Sequence, residues 1–248
     1  GTIIDFGSLA TILAMKNAFL KIGMNIDNDI IKLNMGIKKI DHIKKISKHP
    51  KIRKEWLRKN KNIISRKDIK YISHNFDKYL KIEVKKNLNL IPNVKKIFNI
   101  LRRNNIKIGA TTGYPKSIVK IIKPFLKKNE ILPSQVISVD DVRKGRPYPD
   151  MCLKNFSKLR LKNPKSCLKI DDSLSGIYEG KNAKMKTVGL IFTGIQSGLS
   201  YKKLKSKTIN QKKIMRNKIT KVFKAGKADF ILDDLYHLEK VIKNFDLE

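Results

Sequence analysis

Hydrophobic residues in the first third of the chain recur at intervals of three and four positions, which is the period of an amphipathic helix. The segment LATILAMKNAFLKIG, residues 9–23, shows this period, and helices are expected to end at Gly23 and near Pro50. Between about residues 9 and 88 we find no convincing strand pattern. The pattern therefore predicts an all-helical unit in this part of the chain.

The pattern changes near Ile91, after which short apolar runs alternate with helical stretches. The runs that indicate strands are IKIGATTGY, QVISVDDV, SCLKIDDS, KTVGLIFTG and KADFILDD. Helical stretches such as KSIVKIIKPFLKKN and GIYEGKNAKM lie between them. Because strands separated by helices are typical of a parallel sheet, we expect an α/β fold with a Rossmann-like parallel-sheet core.

Polar clusters follow three of these strands, and parallel sheets bind ligands at the carboxyl ends of their strands. Thr111 and Thr112 end one strand, where hydroxyls and backbone N–H groups can hold phosphate oxygens. Arg146 lies in the turn KGRPYP, and its guanidinium group suits a phosphoryl group. Asp171 and Asp172 end another strand, and paired acids there often hold Mg²⁺. Each cluster also has a structural alternative: a threonine-rich turn, a surface arginine and a helix N-cap.

The net charge of +35, from 56 Lys and Arg against 21 Asp and Glu, raises the question of nucleic-acid binding. Only nine of the 56 basic residues are arginine, and the lysines are spread over most of the chain. Lys, Ile and Asn, which are all abundant, share AT-rich codons. We therefore interpret the charge mainly as compositional bias and expect no specific nucleic-acid partner, although a positive field helps to recruit a small anionic substrate.

Cellular location is constrained by the cysteines and by the hydropathy pattern. Cys152 and Cys167 are too few for a disulfide framework, which favours a reducing compartment. We find neither an apolar run of membrane-spanning length nor a signal peptide. The sequence is therefore interpreted as that of a cytoplasmic protein with no membrane partner.

Several motifs together resemble the phosphonoacetaldehyde hydrolase (phosphonatase) family of the haloacid dehalogenase superfamily. They are GTIIDFGSLA, MGIKKIDHI, IKIGATTGYPK, GRPYPDMCLKN, KIDDSLSGIYEGKNAKMKTVGL and TGIQSGLS, and the resemblance runs from residue 1 to about residue 240. It implies hydrolysis of the C–P bond of phosphonoacetaldehyde to acetaldehyde and phosphate, in the degradation of 2-aminoethylphosphonate. It also implies Mg²⁺, a phosphonate as small-molecule substrate, a core of residues 1–6 and 86–248, a helical cap of residues 7–85, and a homodimer formed through the cap.

The element M-G-x-x-K-x-x-H, residues 35–42, is specific to this family within the superfamily and implies that Lys39 forms a Schiff base with the substrate. The chemistry requires an amine, because an iminium group accepts the electron pair that the broken C–P bond leaves behind. His42 lies three positions after Lys39 on the same helical face. We expect this histidine to perturb Lys39 or to carry protons for imine formation, the alternative being a polar residue at the domain boundary with its hydrogen bonds satisfied.

The resemblance carries the remaining site roles over position by position. It implies that Asp172 is the Mg²⁺ ligand, with Asp171 as its hydrogen-bonding neighbour, and that Thr112 and Arg146 bind the phosphonate. The residues expected to line the site are Ser8, Met35, Gly36 and Tyr114. For Met35 and Tyr114 the alternative is ordinary packing. The lone tryptophan, Trp56, is expected in the core of the cap.

Two departures from the family pattern produce further expectations. Gly1-Thr2 match the end of the nucleophile motif Asp-x-x-Gly-Thr, so the acceptor aspartate is expected upstream of Gly1. We expect the chain to be N-terminally truncated and inactive alone unless another acceptor such as Asp5 replaces it. Lys186 occupies a position where an aromatic residue is expected to pack on the sheet, which would affect stability. The alternative functions are another Mg²⁺-dependent phosphatase or phosphomutase of the superfamily, and a degenerate basic nucleic-acid-binding relative.

Overall fold

A computed structural model describes residues 1–33 and 35–243 of the chain. The first part is helical, as the periodicity predicts. The helix Leu9–Leu20 ends just before a turn in which Gly23 has a φ of +73°, and the helix Lys39–Lys48 ends just before Pro50, which confirms the helix ends expected near these two residues. The helices are α1 (Leu9–Leu20), α2 (Asn28–Lys32), α3 (Lys39–Lys48), α4 (Pro50–Asn60) and α5 (Arg66–Lys86).

Local side-chain caps fix where the two longest of these helices begin. Ser65 accepts the backbone N–H of Asp68, whose carboxylate accepts the N–H of Ser65 in return, so α5 starts with a complete capping box. The carboxylate of Asp5 accepts the backbone N–H groups of Leu9 and Ala10 at 2.9 and 3.1 Å. These bonds satisfy donors that a helix start otherwise leaves without a partner.

The helices share one continuous core with the second half of the chain. Phe19 of α1 and Ile72 of α5 are fully buried where these two helices pack together. Trp56 is buried in the same core, as expected, and donates its indole N–H to Asn62 at 3.1 Å. Burial of such large apolar side chains contributes about 2 to 3 kcal/mol each, so this contact holds α1 and α5 together within the helical part.

The second part alternates strands and helices, as the sequence predicts. Its strands are β1 (Gly109–Thr112), β2 (Gln135–Ser138), β3 (Leu168–Asp171), β4 (Lys186–Leu190) and β5 (Phe230–Leu232). Its helices are α6 (Val94–Arg103), α7 (Lys116–Lys128), α8 (Asp150–Lys158), α9 (Leu174–Asn182), α10 (Tyr201–Lys205), α11 (Ile209–Ala225) and α12 (Leu238–Lys243). Every strand pair is parallel, so the expected α/β class with a helical cap is confirmed.

The sheet is in two pieces among the described residues. β1 pairs with β2, while β3, β4 and β5 form the other piece in the order β3-β4-β5. A cavity of about 1060 Å³ separates the pieces and is lined by residues of both β1 and β3. The carboxyl ends of these two strands, at Thr112 and Asp171, therefore open onto the same space.

The expectation for Lys186 is wrong. Its side chain is exposed at the start of β4 and does not pack on the sheet. The ammonium group lies 3.4 Å from a carboxylate oxygen of Asp229, which also accepts hydrogen bonds from the backbone N–H and hydroxyl of Thr187. A long polar side chain reaches solvent and a carboxylate from a strand end, where an aromatic ring would need a covering surface.

Neither cysteine forms a disulfide in the structure. Cys152 is buried, and burial raises the pKa of its thiol to about 12. A thiol with so high a pKa is inert near neutral pH, as expected for a structural cysteine. In residues 1–33 and 35–243, none of the helices combines the length and the apolar character that crossing a membrane requires.

Candidate active site

The residues that the sequence singles out lie around one cavity. It opens between the carboxyl ends of β1 and β3 on one side and helices of the first part on the other. Such an edge is where parallel α/β sheets bind their ligands. The cavity is lined by Ser8, Met35, Gly36, Lys39, His42, Thr112, Tyr114, Arg146, Asp171 and Asp172.

Asp172 follows β3 and is held in place by three neutral donors. The hydroxyls of Thr2 and Ser8 and the backbone N–H of Ile195 each lie 3.0 Å from one of its carboxylate oxygens. The backbone at Gly1 approaches so closely that an added Cβ would lie 2.0 Å from the same carboxylate. In the described part of the chain, Asp172 has no ion-pair partner, so its negative charge remains available to a cation.

The fit of Mg²⁺ was tested against these contacts. Within the described ranges, no three His, Cys, Asp or Glu side chains converge as a metal-binding group. Mg²⁺ is commonly held by one or two carboxylates together with waters and substrate phosphate oxygens. Asp172, an oriented carboxylate without an ion pair at a strand end, fits such a ligand set as its protein carboxylate.

Asp171 points the other way, into a buried cluster of charges. The Arg146 guanidinium group donates to Asp171 and to Glu179, each at 2.9 Å, and the Lys169 ammonium group lies 3.1 Å from both carboxylates. Burial alone would raise the pKa of Asp171, but Arg146 and Lys169 outweigh it and hold this pKa well below its usual range. Two cations and two anions therefore neutralise one another next to the cavity.

The charge cluster fixes the orientation of the Arg146 guanidinium group, which the turn KGRPYP around it does not reveal. Its Nε and Nη2 atoms are bonded to carboxylates, and Nη2 also lies 3.3 Å from the hydroxyl of Thr111. The guanidinium group is consequently fixed in orientation at the edge of the cavity. The hydroxyl of Thr112 accepts the backbone N–H of Tyr114 at 3.1 Å, which fixes the turn after β1. Binding of phosphonate by Arg146 and Thr112 stays a prediction.

Sequence reasoning missed Lys169 and Glu179. Both residues lie in the motif KIDDSLSGIYEGKNAKMKTVGL, but Lys169 is one of 47 lysines and Glu179 lies inside α9, and neither was assigned a role. The sequence offers no signal for Lys169, because the alternation in LKID would turn the apolar Leu168 and Ile170 inward. The structure instead buries Lys169 and Asp171, and a buried lysine requires a carboxylate partner.

Lys39 is the first residue of α3 and faces Asp77 of α5. Its ammonium nitrogen lies 2.6 Å from a carboxylate oxygen of Asp77, and both side chains line the cavity. The neighbouring Lys38 also lines the cavity, but its ammonium group donates to the backbone carbonyl of Arg143 at 2.9 Å. The two adjacent lysines thus differ in their partners, since Lys39 is paired with an acid and Lys38 with a carbonyl.

His42 does not supply the positive charge that the sequence suggests. Its side chain is buried, and its Nε2 atom lies 2.8 Å from the carbonyl oxygen of Ile31. A carbonyl only accepts, so Nε2 carries the hydrogen. Burial lowers the pKa of His42 to about 4, and the ring is neutral near pH 7. A neutral ring does not perturb Lys39 through its charge, and the buried, hydrogen-bonded ring agrees with the alternative offered from the sequence for this residue.

The remaining cavity residues join the first part of the chain to the strand ends. Ser175 donates to the backbone carbonyl of Met35 at 3.1 Å. Gly36 adopts a φ of +90°, and an added Cβ there would lie 2.2 Å from the Ser175 hydroxyl, so only glycine allows this approach. The hydroxyls of Tyr114 and Thr11 are hydrogen bonded at 3.1 Å.

Asp5, the alternative acceptor that the sequence suggests, is occupied. Both of its carboxylate oxygens accept backbone N–H groups at the start of α1, and the residue is buried. Burial also raises the pKa of Asp5. This carboxylate serves as a helix cap, which argues against its use as a nucleophile.

Comparison with known proteins relates this geometry to a family. The sequence profile of the haloacid dehalogenase-like hydrolases matches residues 1–184. The phosphonoacetaldehyde hydrolase of Latilactobacillus sakei subsp. sakei is 34% identical over 245 residues, covering 99% of this chain and 92% of the relative. That of Vibrio parahaemolyticus is 33% identical over 249 residues, with 99% and 92% covered.

Solved structures agree with the sequence comparison. A phosphonoacetaldehyde hydrolase-like protein from Oleispira antarctica superposes with a TM-score of 0.94 at 30% identity, covering 98% of this chain and 88% of its own. A β-phosphoglucomutase from Clostridium difficile superposes with a TM-score of 0.65 at 19% identity, covering 98% and 92%, which shows the fold alone. The chain therefore belongs to the phosphonoacetaldehyde hydrolase family of the haloacid dehalogenase-like hydrolases.

Proposed function

We propose that this chain hydrolyses the carbon–phosphorus bond of phosphonoacetaldehyde to acetaldehyde and phosphate. The observation that carries the proposal is that Lys39 lines the same cavity as Thr112 and Asp172. In the substrate, a single methylene separates the aldehyde carbon from phosphorus. An amine facing the strand ends from the helical part can therefore react with the aldehyde while the strand ends hold the phosphonate.

The chemistry explains why a lysine is required. Direct cleavage of the C–P bond would leave an unstabilised carbanion. In the Schiff base that we propose on Lys39, the electron pair of the C–P bond passes into the iminium group and gives a neutral enamine. Protonation of the enamine carbon and hydrolysis of the C=N bond then release acetaldehyde and restore the amine.

The phosphoryl acceptor that we propose is an aspartate on a strand between β1 and β3. Both strands border the cavity, and in the described part of the chain each is paired with another strand on one side only. The family motif Asp-x-x-Gly-Thr assigns the acceptor to a position upstream of Gly1, and water hydrolyses the resulting aspartyl-phosphate. The coding region upstream of Gly1 tests this: an apolar strand ending in Asp-x-x supports it, and a stop codon or an unrelated sequence contradicts it.

Magnesium fits this proposal through Asp172. Its carboxylate is the protein ligand that we propose, since its neutral donors orient it without neutralising it. A bound Mg²⁺ would supply positive charge that offsets repulsion between the phosphonate and the acceptor carboxylate. We propose that Arg146 binds a phosphonate oxygen from its fixed position beside Asp171.

We further propose that residues 7–85 form a cap over a core of residues 1–6 and 86–248, and that the protein is a cytoplasmic homodimer. Hydrogen bonds from Ser175 to Met35 and from Lys32 to the carbonyl of Ser197 support a cap seated on the strand ends. Leu13 and Leu20 are exposed on α1, which favours association through the cap. A monomeric mass in sedimentation analysis would contradict the dimer.

Borohydride trapping tests the central step. Incubation with phosphonoacetaldehyde and borohydride should attach the substrate to Lys39, as peptide mass spectrometry would show, and K39A should abolish that adduct. K38A is the matched control, because Lys38 bonds to Arg143 and should leave labelling of Lys39 unchanged. The trap does not depend on the phosphoryl acceptor, so it reports on the lysine alone.

Lysine labelling, phosphate release and DNA binding separate the alternative functions. Labelling spread evenly over the lysines, with phosphate release from phosphate esters unaffected by K39A, would favour another phosphatase or phosphomutase of the superfamily. DNA binding that persists at physiological salt would favour the nucleic-acid-binding alternative. No contact in the described residues favours either alternative over the proposed reaction.

A further inference from the structure

Asp77, the acid that faces Lys39, has no role in the proposed reaction. Asp77 lies on α5, 38 residues further along the chain, and its carboxylate lies 2.6 Å from the Lys39 ammonium nitrogen. The pair is half-buried, with 32% of the Lys39 side chain and 45% of the Asp77 side chain exposed. Among the described residues, Asp77 is the acid within ion-pair distance of Lys39.

This pair differs from an exposed ion pair elsewhere in the helical part. Lys51 of α4 pairs with Asp27 at 2.5 Å, but both side chains are about 60% exposed and neither lines the cavity. Surface pairs of that kind contribute little to stability. The pair of Lys39 and Asp77 instead lies on the wall of the cavity that also contains Thr112. Its position suits chemistry on a bound molecule rather than stability.

Two other titratable groups that line the cavity, His42 and Tyr114, are engaged in hydrogen bonds of their own. The Nε2 hydrogen of His42 is donated to the carbonyl of Ile31, and the ring is buried. The hydroxyl of Tyr114 is hydrogen bonded to Thr11, and burial raises the pKa of this phenol above its usual range. Asp77 is partly exposed, touches the reacting amine and can exchange protons with water.

We propose that Asp77 is the proton carrier for Schiff-base formation at Lys39; this inference rests on the proposed function. The carboxylate of Asp77 takes one proton from the Lys39 ammonium group, which leaves a neutral amine and a carboxylic acid. The amine nitrogen attacks the aldehyde carbon, and a proton moves from nitrogen to oxygen to give a carbinolamine.

The proton held by Asp77 is then used for the loss of water from the carbinolamine. The carboxylic acid of Asp77 protonates the carbinolamine hydroxyl, the C–O bond breaks, and water leaves. The nitrogen lone pair forms the C=N bond, so the ammonium group and the aldehyde have become an iminium group and one water molecule. Asp77 ends as a carboxylate beside the new positive charge, in the same ion pair in which it began.

Reductive trapping with acetaldehyde and cyanoborohydride tests Asp77 separately from the phosphoryl chemistry. The full chain is labelled for short times near neutral pH, and the rate of ethylation at Lys39 is measured by peptide mass spectrometry relative to Lys51. General acid–base catalysis typically contributes 10²- to 10⁴-fold, so D77N should lower the relative rate at Lys39 by about 10²-fold. D77E should stay within about tenfold of the wild type, because it keeps a carboxylate.

A matched control and a chemical rescue exclude a merely structural role for Asp77. D29N removes an aspartate that is paired with Lys32 outside the cavity lining, and it should leave the rate at Lys39 relative to Lys51 unchanged. Added formate should restore part of the rate in D77A, since a small carboxylate can enter the vacated space. Circular dichroism and thermal unfolding verify that each variant is folded.

The outcomes separate the two proposals. If wild-type Lys39 reacts quickly and D77N reacts equally quickly, Asp77 is not the proton carrier, while the Schiff-base function stands. If D77A is slow but formate has no effect and D77E is equally slow, Asp77 only positions the amine, and the inference is overturned. If wild-type Lys39 reacts no faster than Lys51, both proposals fail.

Discussion

Replacing His42 by glutamine should remove a specific part of the acid sensitivity of this fold. The ring is buried and neutral, and burial lowers its pKa from 6.5 to about 4. In the unfolded chain the same ring takes up a proton near its ordinary pKa. Between these two pKa values the unfolded state therefore binds more protons than the folded state, so stability falls as the pH falls from about 6.5 to about 4.

The magnitude follows from the two pKa values of His42. One pKa unit corresponds to about 1.4 kcal/mol, so the gap between 6.5 and about 4 corresponds to about 3 kcal/mol in the free energy of unfolding. At about pH 4.5 most of this contribution, about 2.5 kcal/mol, is already lost. The loss is a large fraction of the 5 to 15 kcal/mol, roughly, that ordinary domains possess.

Urea unfolding followed by circular dichroism measures this contribution at about pH 7.5 and about pH 4.5. Acidic residues also contribute to acid sensitivity, but they contribute equally in the wild type and in H42Q, so the comparison isolates His42. The wild type should lose about 2.5 kcal/mol more than H42Q between the two pH values. Equal losses in the two proteins would show that His42 is not held neutral by burial.

Three further predictions concern the buried charge cluster. In G176A the added Cβ would lie 2.0 Å from the Asp171 carboxyl carbon. We therefore expect urea unfolding to show about 1 to 3 kcal/mol of destabilisation, and unchanged stability would contradict this close packing. E179Q leaves Arg146 and Lys169 with one carboxylate fewer and should cost about 3 to 5 kcal/mol, which a thermal melt detects as a lower Tm. R146K loses the fork that joins two carboxylates and should cost at least about 1 kcal/mol in the same melt; a wild-type melting temperature would show that the fork contributes little.

The strands and the ends of several helices could be predicted because their signals are local. A run such as KTVGLIFTG records burial in consecutive residues, and β4 occupies its first half as Lys186–Leu190. Parallel topology then places the residues that follow each strand at one edge of the sheet. This reasoning is sufficient to bring Thr112 and Asp172 together, and the structure places both on one cavity.

The partners of these residues could not be predicted, because they come from distant parts of the chain. Lys39 and His42 share a helical face, yet the structure bonds one to Asp77 and the other to the backbone of Ile31. Helical spacing fixes which side chains are neighbours on a surface, whereas packing of α3 on α5 decides what covers them.

The acids of this chain identify the site better than its bases do. With 56 basic residues against 21 acidic ones, most lysines and arginines can find no acidic partner, so a lone lysine carries almost no information. Acids are rarer, and those around the cavity have specific partners. Half-buried Asp77 pairs with Lys39. Asp171 and Glu179 pair with both Arg146 and Lys169, whereas Asp172 accepts hydrogen bonds from neutral donors. In a chain of this composition, the carboxylates around the cavity therefore indicate better than the cations themselves which cations belong to the site.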